Sequence, residues 1–173
     1  MFPSRPNSHC NDENSPRLGV LDRLGSRHLM NYQDIVTHLQ VLTSTPVVYS
    51  TFENASFQRQ VDFFSSIDIL VSPHGAQLTG VLFMPRCGSV LELLPRYYHL
   101  HYFFGSLTAN ANLTHAYIYL SDGDVEEDMK NVSSLASRKK ARSAQLCPPV
   151  SSIVSGVETL IGKWKSCCAN IGV

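Results

Sequence analysis

No stretch of this 173-residue chain stays apolar for the roughly 18 residues that a membrane span needs, which excludes a transmembrane helix. An excess of one charge is missing too. Lys plus Arg and Asp plus Glu stand at 14 each, so no global field draws the chain to nucleic acid or to an acidic membrane. There is no GxSxG elbow, no GxxxxGK[ST] loop and no GxGxxG turn, and hydrolase, P-loop and dinucleotide readings lose their local support. Cysteine is sparse: Cys10, Cys87, Cys147, Cys167 and Cys168 fit neither a zinc spacing nor a redox CxxC, and their odd number argues against a complete disulfide set. The start, MFPSRPNSHCNDENSPR, is polar and Pro-rich without an apolar h-region, so it does not read as a signal peptide.

What remains is an ordinary globular composition, 43% hydrophobic and 16% charged, in a chain long enough for one well-cored domain. Residues 1–16 read as a disordered lead-in. Short apolar runs then alternate with helix-spaced stripes. Strands are predicted at Leu18–Leu24, Val47–Tyr49, Ile67–Val71, Ser89–Leu94 and Ala116–Leu120. Helices are predicted at Tyr32–Leu42, with Asn31 as N-cap and Asp34 in a capping box, and at Phe57–Ser65, capped by Ser56. Others are expected at Gln77–Met84, Tyr97–Ala109 and Val150–Trp164. Strand and helix in strict alternation predict an α/β fold, a Rossmann-like parallel sheet with helices on both faces, over residues 17–121. Residues 122–149, with an acidic cluster and the basic run Arg138, Lys139, Lys140 and Arg142, read as a polar linker whose charges are solvated. Residues 150–173 form a C-terminal helix and tail.

In such a sheet, ligands sit beyond the carboxyl ends of the strands. The stretch Ile67–Pro95 puts His74, Gly75 and Ala76 at one such end. Arg23 and Arg27 follow the first strand, where guanidinium forks suit a phosphate. Thr79 falls in the first turn of the next helix, and Glu92 stands alone in an apolar strand where burial demands a partner. Surface pairing of the arginines with Asp22 or Asp34, and a purely structural His74, are the plain alternatives. The aromatics Tyr97, Tyr98, Tyr102, Phe103 and Phe104 read as helix packing before a sugar platform. Three sequons, at Asn54, Asn112 and Asn131, matter only in a lumenal protein.

Taken together, VLDRLGSRHLMN (Val20–Asn31), the block from Phe52 to Pro95 with its HGAQLTG and LFMP segments and VLELLP close, and the following Tyr-Tyr resemble the family 61 glycosyltransferases. That family includes O-linked GlcNAc transferases, plant xylosyltransferases and arabinosyltransferases. The resemblance implies the C-terminal, donor-binding half of an inverting GT-B enzyme in the Golgi or endoplasmic reticulum lumen. The implied donor is a nucleotide sugar, UDP-GlcNAc or a UDP-pentose, and the implied acceptor a protein or glycan hydroxyl. No cofactor is required and no metal ligands are assigned. Arg23, Arg27 and Asn31 would line the donor cleft; His74, Gly75, Ala76, Leu78 and Thr79 would hold pyrophosphate and ribose; Glu92 would bind a sugar or nucleoside hydroxyl. The base is not identified, with His74 and Glu92 as candidates. Gln77 stands where the family pattern has Gly, where it would crowd the pyrophosphate or supply a replacement hydrogen bond, and Gly80 stands where the pattern has Asn. The family's acceptor domain and membrane anchor are not seen in these residues, so the membrane enters only through an anchor outside them. A non-catalytic nucleotide-binding module of the same fold is the rival reading; a flavodoxin-like signalling domain would instead put acidic residues after the first strand.

Overall fold

Alternation inside the apolar runs decides which way each strand faces. Leu18, Val20, Ile69, Val71, Leu91 and Leu93 share one buried face, while Leu21, Leu70 and Val90 share the other. The computed structural model, which describes residues 9–10, 15–123, 125–132 and 134–171, assembles these runs into one five-stranded sheet. Its strands are β1 (Leu18–Asp22), β2 (Val48–Thr51), β3 (Ile69–Pro73), β4 (Ser89–Leu94) and β5 (Thr114–Tyr119), all parallel, in the order β2-β1-β3-β4-β5. The Rossmann-like expectation is met.

The chain steps from β1 outward to β2 through α1 (Tyr32–Gln40), then returns to the other side of β1 for β3. Right-handed crossovers on opposite sides of β1 put their helices on opposite faces. Ile35 and Leu39 of α1, with Ile153, Val157, Leu160 and Trp164 of α6 (Val150–Ile171), cover the first face. The second is covered by Phe63 and Phe64 of α2 (Phe57–Ser65), by Leu78 and Val81 of a 3-10 helix (Ala76–Phe83), and by Phe104 of α3 (His101–Asn110). The reversal of order leaves a crevice outside the carboxyl ends of β1 and β3.

Several boundaries differ from the sequence reading, each for a local reason. β1 stops at Asp22, not Leu24, because the buried Asp22 carboxylate accepts the N–H groups of Arg23 (2.7 Å) and Leu29 (3.0 Å) and turns the chain. α3 begins at His101, not Tyr97, because Tyr97 takes φ 64° and gives its N–H to the Tyr119 hydroxyl. β5 begins at Thr114, which brings His115 into the sheet. Gln77–Met84 is tighter than an α-helix and runs as 3-10 from Ala76. Asn31 makes no side-chain cap on α1; its amide donates instead to the Pro148 carbonyl at 2.9 Å. Ser56 does cap α2, accepting from Arg59 N–H at 3.2 Å.

Two disulfides, Cys10–Cys168 and Cys87–Cys167, leave Cys147 as the free, exposed cysteine. The odd count therefore hides two complete pairs, and the helical run past Trp164 to Ile171 is where both are anchored. Most of the lead-in 1–16 lies outside the described residues. Cys10 is tied by its disulfide, and the neighbouring His9 places Nδ1 3.0 Å from Asp68 Oδ1. Residues 122–149 carry α4 (Val125–Asn131) and α5 (Leu135–Ser143), and their end is stitched to the loop after β1. There Arg27 N–H reaches the Ala144 carbonyl at 2.7 Å, and Leu29 and Leu146 form a parallel bridge. Among the described residues, no helix is long and apolar enough to cross a membrane.

Gly80, where the family pattern has Asn, packs flush on Phe64. A methyl group there would overlap Cε2, Cδ2 and Cζ of that fully buried ring. Gly80→Ala is expected to cost about 1–3 kcal/mol by overpacking. Chemical denaturation reads the loss, and adding Phe64→Leu should restore part of it; an unchanged midpoint would show that the ring has room to move.

Candidate functional site

The crevice between β1 and β3 gathers cations. Gly75 ends the turn after β3, and a Cβ there would overlap Arg23 Nη1 and lie at ordinary contact distance, 3.9 Å, from Arg27 Cζ, so the glycine gives the Arg23 guanidinium its close seat on this backbone. Arg23 is held by its Nε, which donates to the Ser26 carbonyl at 3.1 Å. Arg27 sits at φ 61°, a left-handed conformation costly for a non-glycine residue and sustained here by the bond to Ala144. Its Nε is buried and has no hydrogen-bond partner. Burial, then the charges of Arg23 and Arg142, hold the Arg27 guanidinium below its usual pKa, against the opposing pull of Tyr98.

Among the described residues, neither Arg23 nor Arg27 pairs with a carboxylate. Asp22, the obvious neutraliser, accepts instead from backbone and from the Tyr49 hydroxyl (3.0 Å) and lies 2.8 Å from His28 Nδ1; burial first, then the Asp22 carboxylate, pushes the Tyr49 pKa upward. Guanidiniums with an orphaned buried N–H and, among the described residues, no paired carboxylate have the chemistry to take an anion.

Arg142 is the member that the sequence reading missed. It belongs to the basic run read as a solvated linker, and its stem is exposed. The stitch between residues 27–30 and 144–146 swings it over the Tyr98 ring, 5.7 Å from the centroid, with Nη2 3.4 Å from the Tyr98 hydroxyl. Nothing in a run of four basic residues distinguishes the one that tertiary pairing will recruit.

Beneath the crevice lies a hydrogen-bonded row. His74 Nδ1 stands 2.5 Å from Glu92 Oε1, and His115 Nε2 stands 2.8 Å from Glu92 Oε2. Burial alone would raise the pKa of Glu92, but the bonds from His115 and His74 outweigh it and hold the carboxyl below the ordinary glutamate value. An ionised carboxylate only accepts, so both imidazole nitrogens facing it carry hydrogen. Each Glu92 oxygen thus accepts one imidazole N–H, and the side chain is fully buried. His115 was also missed. It is paired with Val90 in the β4–β5 ladder, diagonal to Glu92 on the same face, so a β5 begun two residues earlier would have exposed it as the partner that Glu92 required.

The remaining sequence candidates divide by where their side chains go. Ala76 is exposed at the crevice. Leu78 is buried in the core, so only its backbone faces the turn, and its N–H closes on the Gly75 carbonyl at 2.9 Å. Thr79 is exposed and donates its hydroxyl to the Ala76 carbonyl. Gln77 folds inward: its amide donates to Ser72 Oγ at 2.9 Å and approaches the Leu21 carbonyl at 3.4 Å, filling the gap where β1 and β3 part. Asn31 braces the Cys147–Pro149 segment through Pro148. Of the aromatics, Tyr98 and Phe104 are buried against His74 at centroid distances of 4.9 and 5.1 Å, whereas Tyr102 and Phe103 are 78% and 67% exposed, contrary to a packing role for all five.

Beside the cations, beyond the ends of β4 and β5, opens a cavity of about 330 Å³ lined by Pro95, Arg96, Tyr97, Lys140, Gln145 and Cys147. Asn54 and Asn112 are exposed at positive-φ turns, Asn54 near the crevice and Asn112 at the amino end of β5. The third sequon runs from Asn131 to Ser133, which lies outside the described residues.

A family model described as Glycosyltransferase 61 matches residues 3–91. The mouse protein O-linked-mannose beta-1,4-N-acetylglucosaminyltransferase 2 is 34% identical over 76 residues, 44% of this chain and 13% of that relative. The human protein of the same name is equally similar over the same share. The alpha-1,3-arabinosyltransferase XAT3 of Oryza sativa subsp. japonica is 25% identical over 80 residues, 46% of this chain and 14% of its own length. The chain thus spans only 13–14% of the length of these relatives.

Proposed function

The chain belongs to the glycosyltransferase 61 family, and from that membership we propose that it is the donor-binding part of an inverting, GT-B-type glycosyltransferase that takes a UDP-linked sugar. The observation that carries this reading is the Arg23 guanidinium seated on Gly75 with Arg27 beside it and Arg142 within electrostatic reach, while among the described residues neither Arg23 nor Arg27 forms a salt bridge to a carboxylate. The diphosphate lies against Arg23 and Arg27, with the buried Arg27 Nε as one donor, and the nucleoside occupies the cavity beside Tyr97 and Gln145. In transfer, an acceptor hydroxyl of a protein or glycan gives its proton to a general base, which these residues do not identify, as its oxygen attacks the anomeric carbon. The bond from that carbon to the β-phosphate oxygen breaks, and UDP departs with the electron pair. Guanidiniums already in place stabilise the leaving charge without reorganising. His74, with Nδ1 given to Glu92, offers Nε2 to the site. Two disulfides fit an oxidising lumen such as the Golgi or endoplasmic reticulum, and the exposed Asn54 and Asn112 sequons are compatible with it.

UDP should raise the melting temperature of the chain by mass action. Arg27→Ala should weaken UDP binding roughly 10- to 100-fold, the loss of one charge-assisted contact. Calorimetric titration measures both; a wild-type chain indifferent to UDP would remove the donor reading. Binding without hydrolysis or transfer of any UDP-sugar would assign the non-catalytic module instead, a reading favoured by Gln77, whose amide occupies the gap at the switch point.

A further inference from the structure

The row His74–Glu92–His115 reaches from the crevice to the edge strand. His115 lies on β5, its side chain 12% exposed, with Nε2 on Glu92 and its ring against the backbone of α3. Gly105 makes that approach possible: a Cβ at Gly105 would stand 3.2 Å from His115 Nδ1 and 3.4 Å from Cε1. The three residues occupy the same face by register, Ser72 of β3 being paired with Glu92, His74 following two residues later, and Val90 being paired with His115. Neither Glu92 nor His115 falls within the residues that the family model matches.

We propose that His115 is a positioning residue: by pinning the second oxygen of Glu92 it keeps that carboxylate turned to His74 and so holds the His74 imidazole with Nδ1–H inward. The inference rests on the donor-site reading for its functional meaning, but its physical content does not. A carboxylate shared between two N–H donors has one oxygen for each, so neither imidazole can rotate without stranding a buried charge.

From the elements packed around it, His74 faces Glu92 of β4 and the Tyr98 phenol. The guanidiniums of Arg23 and Arg27 lie beyond Gly75, and that of Arg142 lies over Tyr98. His115 meets Glu92 and, along β5, Tyr117.

The test is nitrogen-15 and carbon-13 NMR of histidine-labelled 173-residue chain, with His74 assigned by the loss of its signals in His74→Gln. The wild type should show neutral His74 as the Nδ1–H tautomer. His115→Leu should lose the slowly exchanging, downfield Nδ1–H signal of His74, because a carboxylate pinned at one oxygen can turn away from the ring. His115→Gln keeps an N–H for Glu92 Oε2 and should keep that signal. If His115→Leu does not fold, Gly105→Ala, which presses on the ring without removing it, should weaken the signal. An unchanged His74 Nδ1–H signal in His115→Leu, the Nε2–H tautomer in wild type, or equal losses in the Leu and Gln variants would overturn the relay. UDP titration of the same samples separates the two ideas: the NMR pattern without any UDP response keeps the relay and removes the donor site.

Discussion

Glu92→Ala is expected to lower the unfolding free energy by about 3–5 kcal/mol at neutral pH, the cost of removing one partner from a buried charged network. Glu92 is fully buried, and its loss leaves the Nδ1–H of His74 and the Nε2–H of His115 facing a cavity with no acceptor. Glu92→Gln should cost less but not nothing. A carboxamide offers one acceptor oxygen and one NH₂, so one imidazole must change tautomer or lose its bond. The pH dependence gives a second, independent reading. The folded carboxyl titrates below the ordinary value of 4.5, so its contribution is fully present above that value and is lost as the pH falls through the lower folded pKa. Urea melts of the wild type should therefore steepen in acid dependence below about pH 4.5, and both variants should lack that component. Equal acid limbs in all three chains would mean that Glu92 is not held ionised by its histidines.

How much of this was readable beforehand depends on how local the cause is. Strand and helix order was readable because each apolar run carries its own period, and the parallel sheet follows from the alternation. Gly75 and the two arginines were readable as candidates because they bracket strand ends. Their meeting was not, since Arg23 reaches Gly75 only after β1 and β3 become neighbours across the switch point. The Glu92 side chain advertised a need for partners by standing alone in SVLELL, but the identity of His115 depended on where β5 starts, and strand ends are poorly specified by composition. Arg142 had no local signal at all. Its role depends on the bridge from Leu29 to Leu146, 117 residues apart in the chain as the nearby Asn31–Pro148 bond also is. Cysteine pairing was equally non-local: parity rightly left one thiol over, but it carried no signal that the other four pair.

Removing either disulfide should destabilise the chain by about 2–5 kcal/mol, and removing both should leave a domain whose fold is marginal in reductant. Loop length alone ranks them one way. Cys10–Cys168 closes 158 residues and Cys87–Cys167 closes 80, and a doubling of loop length is worth only about 0.6 kcal/mol in favour of the former. Packing ranks them the other way. Cys87 is buried in the core cluster that joins α6 to the sheet, so replacing its sulfur also removes apolar contact of the order of 1 kcal/mol or more. Cys10, by contrast, is only half-buried beside that cluster. The packing loss outweighs the loop-length advantage, and the paired variant Cys87→Ala with Cys167→Ala should be less stable than Cys10→Ala with Cys168→Ala. Guanidinium melts in oxidising buffer rank the two variants directly. The reverse order would show that tethering residue 10 restrains the unfolded chain more than the buried cystine packs the folded one.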